Sequence, residues 1–239
     1  MMRWVLCSLM LFAVVAQGDE TDYADLRAEL VAEVESYARM AWDTDKNTLS
    51  DSVMKSLSTV ERHEFVPRSQ KRYAYEDRPL PIGHGQTISQ PYIVALMTDL
   101  ISPEDSDVVL EIGTGSGYQA AILAELVEHV YTIEIIEPLF NSATTRLDRL
   151  GYDNVTTRLG DGYFGWEQHG PFDAIVVTAA ASHVPPPLIQ QLKPGARMVI
   201  PVGGRFMTQQ LLLIEKTEQG DIITKQIAAV RFVPLTGER

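Results

Sequence analysis

The sequence predicts an α/β protein, a mainly parallel sheet covered on both faces by helices and finished by an antiparallel edge. Three observations lead there. From residue 108 onward short β-branched runs alternate with helical stretches, a glycine-rich turn follows the first run, and after Pro201 two apolar runs flank a polar turn. Strand, helix, strand alternation implies parallel strands buried on both faces, whereas two runs joined across a short polar turn pair as a hairpin. With 239 residues, 45% of them hydrophobic, the chain can bury one substantial core and has little left for a second.

At the start, Met1-Met2-Arg3 is positively charged, residues 4–16 (WVLCSLMLFAVVA) are apolar or small, and Ala16 to Gly18 offers small residues before Asp19-Glu20. This pattern predicts a secretory signal peptide over residues 1–18. An uncleaved anchor fits less well, because a spanning helix needs about 20 apolar residues. A lipoprotein would use Cys7, which lies too early in the segment. Cys7 is the single cysteine of the chain, so removal of the leader excludes disulfides, zinc-thiolate sites and cysteine nucleophiles from the mature protein. Loss of Arg3 takes the formal net charge from −12 to −13. Such a surface repels nucleic acid backbones, and no nucleic acid partner, no metal and no lasting membrane association is expected.

Residues 19–78 read as a helical segment, with Leu26, Leu30, Val31, Val34 and Tyr37 at helical spacing and a second run at Val53, Leu57 and Val60. His63 and its charged neighbours read as a solvated face. Residues 79–239 form the main domain. It opens on PIGHGQTISQPY (81–92), where Ser89 can cap a helix starting at Gln90, with Pro91 tolerated in the first turn. The strands expected next are VVLEI, VYTIEI, NVTTRL, FDAIVV and RMVIPV, followed by QLLLIE and IITKQIAAVRFV.

The first strand leads into VLEIGTGSGYQAAILAEL (109–126). Gly113, Gly115 and Gly117 sit between a strand and a helix, where glycines let a ligand approach the backbone and the helix start offers amides. A phosphate-binding loop would need Lys-Ser/Thr after it, and a dinucleotide fingerprint would need glycine at Tyr118; neither is present. What fits is E-x-G-x-G-x-G, with Glu111 first and a second acid, Glu134, ending the next strand, able to accept both ribose hydroxyls of an adenosine. After the third strand comes GDG (160–162), where Asp161 could accept from an adenine amino group. Singly, Glu134 is also a solvated strand end and Asp161-Gly162 also a turn; in order and together they resemble the S-adenosylmethionine site of class I methyltransferases.

The resemblance sharpens in LPIGHGQTISQPYIVALMTDLI, GDGYFGW, PFDAIVVTAAASHVPPPLIQQLKPGARMVIPVG and VRFVPLTGE, which with VERHEFVP look like the protein-L-isoaspartate (D-aspartate) O-methyltransferase family from about residue 54 to the end. It departs from the family's familiar pattern at the N-terminus, where a signal peptide is unusual.

The resemblance implies a Rossmann-like three-layer fold, S-adenosylmethionine as methyl donor, and isoaspartyl proteins and peptides as substrates of a protein repair enzyme, a monomer. It implies that Ser89 contacts the substrate carboxylate and that Thr87 and Ile88 lie in a loop closing over both ligands. Glu111, Gly113, Thr114, Gly115, Gly117, Glu134, Asp161 and Gly162 would serve the cofactor. Val230, Phe232, Val233, Pro234 and Leu235 would belong to the C-terminal strand that receives the damaged peptide. His84, a loop histidine without an acid partner, reads as structural or solvated. Two other readings stay open: a cofactor- and peptide-binding module without catalysis, and a small-molecule carboxyl methyltransferase. Export to the periplasm is expected from the leader, cytoplasmic residence being the alternative, although S-adenosylmethionine is made in the cytosol.

Overall fold

The computed structural model describes residues 23–41, 48–204 and 207–237. The expected leader therefore lies outside the described residues. The described residues begin with α1 (Tyr23–Ala41) and α2 (Asp51–Thr59). The inward stripe of α1 is Leu26, Leu30, Val34 and Ala38, while Tyr37 turns outward at 44% exposure and lays its ring edge-on against Tyr92, centroids 4.6 Å apart. His63 is not solvated: it is buried, stacked on Tyr23 at 3.9 Å, with Nδ1 2.8 Å from the Tyr75 hydroxyl. Of the charged residues around it only Glu61 is exposed, since Arg62 is buried and Glu64 half-buried, and the ring itself serves as the seat for the start of α1.

Next come a hairpin, β1 (Leu80–Gly83) and β2 (Gln86–Ile88), and then α3 (Pro91–Leu100). The alternating domain follows as β3 (Val108–Ile112), α4 (Tyr118–Ala124), β4 (His129–Glu134), α5 (Glu137–Leu150), β5 (Val155–Leu159), β6 (Phe172–Val177), α6 (Pro186–Gln190) and β7 (Leu192–Val202). β8 (Gln209–Lys216) and β9 (Ile222–Val230) complete a seven-stranded sheet in the order β5-β4-β3-β6-β7-β8-β9. The first five of these run parallel; β8 and β9 are antiparallel to their neighbours, the edge that the polar turn predicted.

Because side chains alternate across a strand, Val109, Ala174, Val176 and Val199 point into one core with α1 to α4, and Leu110, Ile112, Ile175 and Met198 into another beneath α6. The helical cover is lopsided, with long helices on one face and the short α6 on the other. β7 starts earlier than the RMVIPV run, since Leu192 already pairs with Phe172 before the register shifts around Pro194-Gly195. The strand order reverses between β3 and β6. In open α/β sheets, ligands bind in the crevice beyond the carboxyl ends at such a point.

Candidate active site

Gly113 to Gly117 leave the carboxyl end of β3 with φ of +98° at Gly113, +55° at Gly115 and +87° at Gly117. Three left-handed residues in five turn the chain sharply from strand to helix, a path that residues with a Cβ resist. The loop's amides are largely consumed by the protein. Gly113 N and Thr114 N donate to Ile133 O, Gly117 N to Thr114 O, and Gly115 N to Glu134 Oε2 at 2.8 Å. A loop that spends its amides internally is not a phosphate cradle, in keeping with the absence of Lys-Ser/Thr after it.

Below the loop, Thr132 Oγ1 donates to Glu111 Oε2 at 2.5 Å, and Thr114 Oγ1 lies 2.7 Å from Thr132 Oγ1. Glu111 is fully buried, and burial pushes its carboxyl up to about 8, opposed by the Thr132 hydrogen bond and reinforced by the charge of Glu134. Its Oε1 is buried without a partner. Folded, Glu111 binds a proton across the window between the ordinary 4.5 and about 8 where the unfolded chain has released it. Stability should therefore fall as pH rises through that window, by up to about 1.4 kcal/mol per pH unit. Glu111→Gln should flatten this slope. Urea titrations at several pH values would test it, and an unchanged slope in the variant would refute the assignment.

Glu134 ends β4 at 5% exposure, its Oε1 accepting from Ile136 N at 2.8 Å and its Oε2 from Gly115. A carboxylate oxygen has two lone pairs, so both retain capacity for a ligand hydroxyl. Asp161 is also tied into the protein. Its Oδ1 accepts from Tyr163 N at 2.9 Å, capping a short 3-10 turn, and Gly237 packs directly on the carboxyl group. Asp161 Oδ2 remains buried without a hydrogen bond, while the neighbouring Gly162 lines the cleft and has no room for a Cβ against Ile112.

Thr87 and Ile88 are strand residues of β2, not loop residues, because the Gly83-His84-Gly85 turn, all three at positive φ, folds the segment back on itself. His84 is exposed at that tip, away from the cavities. Ser89 does not cap α3: the capping position is Gln90, and it makes no side-chain cap. Asp77 takes that role from the preceding loop, its Oδ1 accepting from Tyr92 N at 2.8 Å and its Oδ2 from Gln90 Nε2 at 2.8 Å. Ser89 is thus released from local duty.

Two cavities meet here. One, of about 750 Å³ including space open to solvent, is bounded by the glycine loop with Thr114, Glu111, Glu134, Gly162 and residues 86–89. The second, of about 860 Å³ on the same measure, lies between Ser89, Gln90, Ile93 and the end of β9. Thr87, Ser89, Thr178 and Val233 line both. Val230 and Phe232 line the second, whereas Pro234 and Leu235 line the first. The strand ends at Val230, and the chain then crosses to Ala180, which accepts from Leu235 N and donates to Val233 O, both at 2.8 Å. Pro234 cannot donate to a ladder, so continuing β9 is disfavoured there.

Sequence reasoning missed Thr178, whose Oγ1 donates to Gly113 O at 2.7 Å, although its place at the end of β6 beside the reversal point could have marked it. It also missed Asp77, Ile135 and Gly237, and Arg62, buried with its guanidinium carbon 4.9 Å over the ring of Tyr118. Among the described residues no histidine, lysine or cysteine lines either cavity. Among the described residues the cleft with the glycine loop carries the Glu134 carboxylate and no cation, which suits a ligand bearing hydroxyls and positive charge.

Comparison with known proteins gives a consistent result. The family model described as Protein-L-isoaspartate(D-aspartate) O-methyltransferase matches residues 37–239. The chain is 59% identical to Protein-L-isoaspartate O-methyltransferase 2 of Syntrophobacter fumaroxidans, over 98% of this chain and 94% of that one. A solved protein-L-isoaspartate O-methyltransferase superposes with a TM-score of 0.78 at 29% identity, covering 88% of this chain and 66% of that one. A Plasmodium falciparum structure, described as a protein of the same kind in complex with S-adenosyl-L-homocysteine, gives 0.71 at 26% identity over 91% and 99% of the two chains.

Proposed function

The chain belongs to the protein-L-isoaspartate(D-aspartate) O-methyltransferase family, and we infer that methyl transfer to the free α-carboxylate of L-isoaspartyl residues takes place where its two cavities meet. The observation that carries this is the wall of Thr87, Ser89, Thr178 and Val233 common to both. A donor in one cavity and an acceptor in the other can touch only there.

When bound, S-adenosylmethionine supplies a methyl group on a sulfonium. Glu134 would accept its ribose hydroxyls, the free Oδ2 of Asp161 its adenine amino group, and Gly115 would leave the space it needs, while Gly113, Gly117 and Gly162 let the backbone pack closely on Thr178, Leu147 and Ile112. Thr114 and Glu111 hold the loop from beneath. Ser89 would donate to the substrate carboxylate and turn one of its oxygens toward the donor, with Val230, Phe232 and Val233 along the peptide. Pro234 and Leu235 would close the cofactor side. No general base is needed, since an α-carboxyl titrates at about 3.3 to 3.7 and is already a nucleophile at neutral pH. The residues act by proximity and orientation, worth about 7 to 11 kcal/mol. The neighbouring backbone amide nitrogen then attacks the ester carbonyl, loses its proton and expels methanol to form a succinimide, which water opens so that part of the chains recover aspartate; this is the repair.

Radiolabelled methyl transfer to an isoaspartyl peptide, its aspartyl twin and a panel of small acids tests the inference, with transfer expected to the isoaspartyl peptide alone. Cofactor binding without transfer would favour the binding module, and labelled small acids the small-molecule enzyme. Glu134→Ala should weaken S-adenosylhomocysteine binding by roughly 1 to 3 kcal/mol. Two loop amides lose their acceptor as well, so the melting temperature should also drop. Calorimetric titration with unchanged affinity would remove Glu134 from the site.

We also propose export, supported by Met1 to Arg3, the apolar residues 4–16 and the small residues at 16–18. The mature protein should then begin near residue 17 or 19 in the periplasmic fraction. N-terminal sequencing that finds Met1 on the exported protein would refute this.

A further inference from the structure

Arg231 is the one charged residue among the described residues that line the second cavity, in a chain whose formal net charge is −12. It is exposed, and among the described residues its guanidinium has no ion pair or hydrogen bond. The backbone on both sides of it is fixed: Val230 pairs with Gln209 in the sheet, and Phe232 N donates to Gln209 Oε1 at 2.9 Å. Gln209 is itself buried at 3% exposure, so one anchored side chain determines where Arg231 enters the cavity.

Arg231 lines the second cavity but not the first, whereas the reacting carboxylate belongs at the wall that both share. Its partner is then a different group of the peptide. A guanidinium recognises a planar carboxylate through paired N–H donors. Resting on the methyltransferase reading, we propose that Arg231 is a specificity-determining residue that selects isoaspartyl peptides carrying an Asp or Glu side chain beside the damaged residue. The pair is exposed, so it discriminates modestly and weakens with salt.

The test is kcat/KM for two isoaspartyl peptides that differ only in a flanking Glu or Lys, measured with the unaltered chain, Arg231→Gln and Arg231→Glu at low salt. The unaltered chain should prefer the Glu peptide by about two- to fivefold. Arg231→Gln should bring the ratio close to one, and Arg231→Glu should reverse it. The ratio is internal to each enzyme, so a variant with lower overall activity still gives a result. An identical ratio in all three proteins would overturn the inference. Transfer to neither peptide by the unaltered chain would overturn the methyltransferase reading and this inference with it.

Discussion

Ser89→Asp is expected to leave the melting temperature in place and to cost about a hundredfold or more in methyl transfer. The first half follows from what Ser89 does not do. The start of α3 is capped by Asp77, so neither Ser89→Ala nor Ser89→Asp removes a cap. The second half follows from position, since a carboxylate on the wall common to both cavities confronts the substrate's own carboxylate. Ser89→Ala removes one hydrogen bond to a charged group, about 1.5 to 3 kcal/mol, and should lie between the two in activity. Thermal melts alongside kcat/KM for an isoaspartyl peptide decide it. An Asp variant as active as the unaltered protein would leave Ser89 with no part in the chemistry.

Gly113→Ala should abolish measurable cofactor binding and lower stability together. Gly113 has φ of +98°, and a Cβ there would stand 2.5 Å from Thr178 Oγ1, the hydroxyl that donates to Ile112 O and Gly113 O. The variant must open the loop or displace Thr178, and either change deforms the cleft. Gly115 is the contrast. At φ of +55° its nearest foreign atom would be Ile82 Cδ1 at an ordinary 3.5 Å, so Gly115→Val fits the protein side and its bulk falls on the ligand. Both variants carry a conformational cost of about 1 to 3 kcal/mol; only Gly113→Ala adds a collision with the protein. Calorimetric titration with S-adenosylhomocysteine and urea melts separate them. A Gly113→Ala protein that binds as before would show that the loop does not depend on Thr178.

The parallel sheet and the glycine loop were legible because their physics is local: β-branched runs, turn glycines at fixed offsets, and an acid at the end of the next strand. Glu134 could be chosen from sequence for that reason. The capping role read for Ser89 was wrong, since the residue that displaces it, Asp77, lies in another segment and is brought there only by folding. The β1-β2 hairpin was hidden because its strands are four and three residues long around Gly-His-Gly, too short for periodicity to register. His63 looked solvated among charges because its cover, Tyr23, is forty residues earlier in the numbering. Asp161 was found by its motif, but the packing of Gly237 upon it is a long-range contact that no motif encodes.

The path of the chain beyond β9 has a genetic consequence. A nonsense mutation just after Val230 would spare every helix and strand among the described residues, and by a count of elements it would pass as a mild truncation. It would nevertheless delete Val233, Pro234, Leu235 and Thr236 from the wall of the cofactor cleft. Such an allele should behave as a null, and recombinant tags are better placed at the other end of the mature protein.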